Sequence, residues 1–124
     1  MARRGHHTLA QIKEMIVLAS EELIETGGLS HVRVRNIASK IGYTVGSIYM
    51  VFNSMDELIL HLKGRTLDAI VQEMSKVTCH STEQCLEKLA IVYIDYARKN
   101  FNRWSMVFEH RVPVSMEVPE WYQL

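Results

Sequence analysis

Thr44, Val45, Gly46 and Ser47, with Tyr49 a little further on, form a cluster of small and hydroxylated residues suited to one kind of chemistry. Thr and Ser hydroxyls donate and accept hydrogen bonds, a valine methyl can meet a thymine methyl, and a glycine lets backbone approach a neighbouring surface closely. On the first turn of a helix these groups would meet base edges in a DNA major groove, and the Tyr49 hydroxyl suits a phosphate oxygen. Arg33 and Arg35 offer charge to the nucleic-acid backbone, while Arg3 and Arg4 lie on an N-terminal arm suited to an adjacent minor groove.

Rival chemistries find little support. There is no nucleophile motif or phosphate loop, because Gly27-Gly28 and Gly42 read as a helix stop and a turn. Glu21, Glu22 and Glu25 read as a solvated surface run rather than a carboxylate pair for acid–base work. No enzyme activity and no cofactor are therefore expected. Cys79 and Cys85 are too few and too close to frame a secreted disulfide scaffold, and they read as reduced, buried or idle thiols. A metal at Cys79, His80 and Cys85 would need a fourth ligand such as His61 or His110, and none is expected.

The elements that must position the reading residues are all helical. Leu9, Ile12, Ile16, Ala19 and Leu23 recur at steps of three and four, which predicts a first helix. Thr8 and Gln11 make its capping box, and Gly27-Gly28 its left-handed stop. A second helix is predicted from Val34 to about Ile41, halting at Gly42, and a third follows the Thr44 cap with Val45, Ile48, Val51 and Phe52 on its apolar side. Small Ala38 lets the two pack closely and Gly42 permits the tight turn, so residues 33–52 have the spacing of a helix-turn-helix.

Capping boxes at Ser54 to Glu57 and Ser81 to Gln84 open a long fourth helix reaching about Val77 and a fifth ending near Asn100 to Asn102. Gly64 is the fourth helix's one interior weak point. A short sixth helix is expected from Trp104 to about His110, Pro113 and Pro119 bracket a loop, and Glu120 to Tyr122 is poised to begin another helix. No strand alternation stands out. The expected fold is all-α, with a DNA-binding domain over 1–53 and a partial helical regulatory domain over 54–124.

The length suits one ordinary domain, or a small module plus part of a second. The 124 residues are 48% hydrophobic and 23% charged, with formal net charge zero. The first 52 residues carry six Lys/Arg against four acids, which points to that half as the surface for a polyanion. No apolar run approaches a bilayer span and no signal-peptide core follows the N-terminus, so the expectation is cytoplasmic.

With these elements in place, residues 27–58 resemble the TetR family of transcriptional regulators. The resemblance rests on a glycine after the first helix, Val34-Arg35-Asn36-Ile37-Ala38, Gly42-Tyr43-Thr44-Val45-Gly46-Ser47-Ile48-Tyr49, Phe52-Asn53-Ser54 and Leu58. Residues 104–122 are also similar to part of the regulatory domain in one branch of the family. The resemblance implies a homodimeric repressor on a palindromic double-stranded operator, with further C-terminal helices whose last two pair between subunits. It also implies release by a small apolar effector in a cavity lined by Met74, Tyr93, Trp104, Met106 and Phe108; spacing alone reads those five as ordinary core.

Three positions depart from the family pattern. Arg33 replaces the small hydroxyl that caps the second helix, and Val45 and Met55 replace two lysines that face DNA. With two phosphate contacts fewer, the salt dependence should be shallower by roughly 1 to 2 units of log affinity per log salt. A second class stays open, an interaction protein that has lost autonomous DNA binding and pairs with another regulator.

Overall fold

The computed structural model describes residues 7–123, and its regular structure among them is helical throughout. Six α-helices follow one another: α1 (Leu9–Gly27), α2 (Val34–Ile41), α3 (Val45–Val51), α4 (Met55–Ser75), α5 (Thr82–Lys99) and α6 (Phe101–Glu109), with 3-10 turns at Leu29–His31 and Glu120–Tyr122. No helix among the described residues is long and apolar enough to cross a membrane.

Local caps set most of the boundaries. The Thr8 hydroxyl accepts from the Gln11 amide at 3.1 Å while the Gln11 side chain accepts from the Thr8 amide at 2.8 Å, closing the expected box. At the other end the two glycines divide the work. Gly28 takes φ 76°, while Gly27 closes the helix at a position that only glycine fits, because a Cβ there would fall 1.9 Å from the His31 ring. Ser54 and Ser81 each accept from the amide three residues on. The Gln84 side chain, however, reaches past Ser81 to the His80 amide. The sixth helix starts at Phe101 rather than Trp104, because the break after α5 is confined to Asn100.

The core is built around α1. Ile16, Ile24, Ile37, Ile48, Phe52, Leu58 and Leu62 are all but sealed from solvent and pack in one cluster. Each such side chain contributes about 1.5–3 kcal/mol relative to exposure. The cluster runs through α2 and α3 into the first half of α4, and Met106 of α6 plugs into it.

Two expectations are corrected here. Of the acids expected as a solvated run, Glu21 is instead buried and grips Arg65 of α4 with two hydrogen bonds of 3.0 Å, while Glu22 and Glu25 are exposed and pair at the surface with Lys40 of α2, at 2.9 Å, and Arg103 of α6. A carboxylate on the inward side of α1 must find a cation, and α4 supplies one. Its hydrogen bond to Arg65 pushes that guanidinium's pKa further up.

Cys79 and Cys85, expected as thiols, are joined in a disulfide with Cα atoms 5.4 Å apart. The Ser81 cap turns the chain between them, which returns Cys85 on the first turn of α5 to Cys79. Neither sulfur is then free to bind a metal, and no group of three His, Cys, Asp or Glu side chains placed to do so occurs among the described residues.

Candidate functional site

The α2–α3 corner is set by three residues. Ala38 is buried where the helices cross, and its carbonyl accepts from both the Gly42 and Tyr43 amides at 3.0 Å. Gly42 takes the left-handed conformation at φ 75°, which reverses the chain in a single step. Tyr43, between Gly42 and the Thr44 cap, is buried, and its hydroxyl lies 2.6 Å from Nδ1 of His7. The segment before α1 is thereby fastened to the turn that begins the reading helix.

On α3 only Ile48 is fully buried, and it anchors the helix to the core. The Thr44 hydroxyl accepts from the Ser47 amide at 3.2 Å and lies 2.9 Å from the Ser47 hydroxyl. The two side chains therefore form one polar unit at the start of α3, with Thr44 exposed and Ser47 half-buried. A Cβ on Gly46 would have as its nearest neighbour only Thr44 Oγ1 at 3.8 Å, so the exposed backbone there is open to approach. Tyr49 is exposed as well. Val45 is half-buried against the core, which leaves it less free to meet a base than its sequence position suggests.

Met50 joins this surface although sequence reasoning missed it. It is 77% exposed and stands one turn beyond Gly46 on the same side of α3. The available signal was that spacing; methionine reads by type as core filler.

The cations flank the corner. Arg33 occupies the N-cap position of α2 with no side-chain cap, and its Nε donates to the Ser30 carbonyl at 3.1 Å. That bond leaves the terminal guanidinium nitrogens for another acceptor. Arg35 is exposed on the first turn of α2. Arg3 and Arg4 lie outside the described residues.

Beneath α3, Phe52 is sealed and meets the edge of His61 on α4, with ring centroids 5.3 Å apart, while the Lys13 ammonium stands 5.7 Å from the Phe52 ring. Burial lowers the His61 pKa, and the nearby Lys13 charge lowers it further. On its other side His61 stacks on Trp121 at 4.3 Å. At the far end of α4's first half, buried Lys63 donates to the His110 carbonyl at 2.9 Å, and Nε2 of His110 lies 2.8 Å from Asp56. Burial depresses the Lys63 pKa. These contacts lock the end of α6 to the start of α4.

Of the five side chains expected around an effector, Trp104 meets both Tyr93 and Phe108, with its ring centroid 5.1 Å from that of Phe108. Met106 is in the core, Phe108 is 62% exposed, and Trp104 donates its indole N–H to the Tyr93 hydroxyl at 2.9 Å. Met74 does not line the shallow recess beside Trp104 and Phe108. A larger recess lies elsewhere, a groove of about 580 Å³ along α4 bounded by His61, Gly64, Leu67, Val71 and Trp121. Gly64 sits in an unbroken helix with the Trp121 ring 3.4 Å from where its Cβ would be.

Residues 16–62, from inside α1 to the first half of α4, match the family model described as bacterial regulatory proteins, tetR family. No curated protein matches the chain.

Proposed function

We propose that this chain, whose residues 16–62 match the family model described as bacterial regulatory proteins, tetR family, is a DNA-binding transcriptional regulator that represses by reading a palindromic operator with α3. The observation that carries this reading is the outward surface of α3. It is uncharged, hydroxyl-bearing and open at Gly46, while Ile48 and Phe52 fix the helix from below. Such a surface reads base edges, and Arg33 and Arg35 beside it hold the phosphates.

Palindromic operators are met by two copies, each reading one half-site. Release by a small apolar effector would act through α4, because α4 shares a core with α3 and also bounds the groove at Trp121. That groove along α4 is the better-placed receptor, with the Tyr93, Trp104 and Phe108 cluster on α5 and α6 as the alternative.

Selection of bound duplexes from a random pool, followed by titration at two salt concentrations, tests the reading. The expected outcome is enrichment of a half-site motif and a selected duplex that binds more tightly than random DNA at both salts. Equal affinity for selected and random duplexes would reject it. Arg33→Ala and Arg35→Ala should each lower the salt slope by about 1 without changing the selected motif.

A further inference from the structure

Cys79 and Cys85 are the two cysteines of the chain, and their disulfide closes the connection between α4 and α5. It is badly placed for a staple. No residue between Ile70 and Met106 is buried, so the bond ties nothing into the apolar cluster. A separation of six residues also makes a small loop, and small loops gain least from closure. Both cysteines are half-buried, with exposed His80 and Leu86 beside them, and a reagent in solution can reach them.

The loop is held without help from the sulfurs. Ser81 caps α5 by accepting from the Gln84 amide at 3.1 Å, the Gln84 side chain accepts from the His80 amide at 2.8 Å, and the Lys88 ammonium donates to the Thr78 carbonyl at 2.6 Å. These bonds do not depend on oxidation state, so two thiols released there stay close enough to pair again. Lys88 brings its charge beside Cys79 through Thr78, and it follows Cys85 by three residues on the same side of α5. Glu83 and Glu87 lie two residues to either side of Cys85 and face away from it. A thiolate on Cys85, on the first turn of α5, thus has the helix's positive end and an ammonium for neighbours, the setting in which cysteines act as nucleophiles.

We propose that Cys79 and Cys85 form a reversible thiol–disulfide centre, oxidised by hydroperoxides and reduced by small thiols. The Cys85 thiolate attacks one peroxide oxygen; an S–O bond forms, the O–O bond breaks, and the departing alkoxide or hydroxide takes up a proton. The Cys79 thiolate then attacks the sulfenic sulfur, which closes the S–S bond and expels hydroxide, protonated to water. The two thiols give up two electrons and two protons, and the peroxide takes both. Reduction returns through a mixed disulfide with the incoming thiol. A protein that reads DNA works among reducing thiol pools, where disulfides are transient and redox-sensing; for that compartment alone the proposal rests on the reading above.

Thiol counting by alkylation and intact mass, on the full chain without DNA, tests it. Millimolar reduced glutathione should open the disulfide with helix content unchanged by circular dichroism. Hydrogen peroxide, added once glutathione is removed, should close it several times faster than it oxidises free glutathione. Lys88→Met should slow that closure about threefold and Lys88→Arg should not. Cys79→Ser should halt oxidation at a sulfenic acid on Cys85 that dimedone traps. A bond that resists glutathione, or whose reduction unfolds helix, is a structural staple and overturns the proposal. So does a reduced pair that peroxide closes no faster than it oxidises glutathione. Because thiols are counted without DNA, failure here is distinct from failure to select an operator.

Discussion

The first half of the molecule and α5 with α6 are held together in different ways. From α1 into α4 the helices share a continuous apolar cluster in which side chains such as Ile16, Ile37, Phe52 and Leu58 are sealed. Beyond it, α5 buries nothing fully and α6 buries only Met106. Polar ties do much of the remaining work, from Arg103 and Asn102 to Glu25, from Lys63 to His110 and from Trp104 to Tyr93. A reading helix needs a fixed angle, which dense packing supplies; a segment that answers to partners or ligands can be held by fewer, separable contacts.

That contrast makes graded predictions. The largest effect should come from the core: Leu58→Ala is expected to cost about 2–5 kcal/mol in urea unfolding, while Leu86→Ala on exposed α5 should cost well under 1. Equal losses at the two sites would break the comparison. Met106→Ala tests the joint between the regions. It should also cost about 2–5 kcal/mol and should raise hydrogen exchange in α6 more than in α2.

The Glu21–Arg65 pair should matter less, because Arg65 is 44% exposed and solvent screens it. Arg65→Ala is expected to cost about 1 kcal/mol, and a much larger loss would make the pair a principal tie between α1 and α4.

The smallest effect concerns pH. His61 has its pKa lowered below 6.5 in the folded chain, so the unfolded chain binds the proton first as pH falls. The stability from keeping His61 neutral is complete above about 6.5 and is lost as pH falls below it. Unfolding of the parent and His61→Phe compared between pH 7.5 and 5.5 should show a shallower loss in the variant; parallel curves would remove His61 from the account.

How much of this was legible in the sequence depended on distance along the chain. The caps at Thr8, Thr44, Ser54 and Ser81 involve partners within four residues, and the helix starts they mark were readable. The Glu21–Arg65 pair joins residues far apart in sequence, so buried Glu21 looked as solvated as its exposed neighbours Glu22 and Glu25. A signal existed, since Glu21 follows Val17 by four and precedes Ile24 by three, both buried positions. Tyr43 and Met50 were hidden for opposite reasons, a polar-tipped residue that is buried and an apolar one that is exposed.

Which of Met74, Tyr93, Trp104, Met106 and Phe108 face one another was not legible, because residue type cannot say which way a side chain on α4, α5 or α6 points. Thr44 shows a further refinement. Its hydroxyl caps α3, so Thr44→Ala would cost about 1 kcal/mol of stability besides any contact, whereas Ser47 and Tyr49 are cleaner probes.

The central claim is that the outward side of α3 reads bases. Its most direct test is the ratio of affinities for a selected and a scrambled duplex, measured for the parent chain, Ser47→Ala and Tyr49→Phe alongside their unfolding midpoints. The ratio is predicted to fall about three- to tenfold for Ser47→Ala with the midpoint nearly unchanged, while Tyr49→Phe weakens both duplexes alike. An unchanged ratio in Ser47→Ala together with unchanged affinity in Tyr49→Phe would contradict the account.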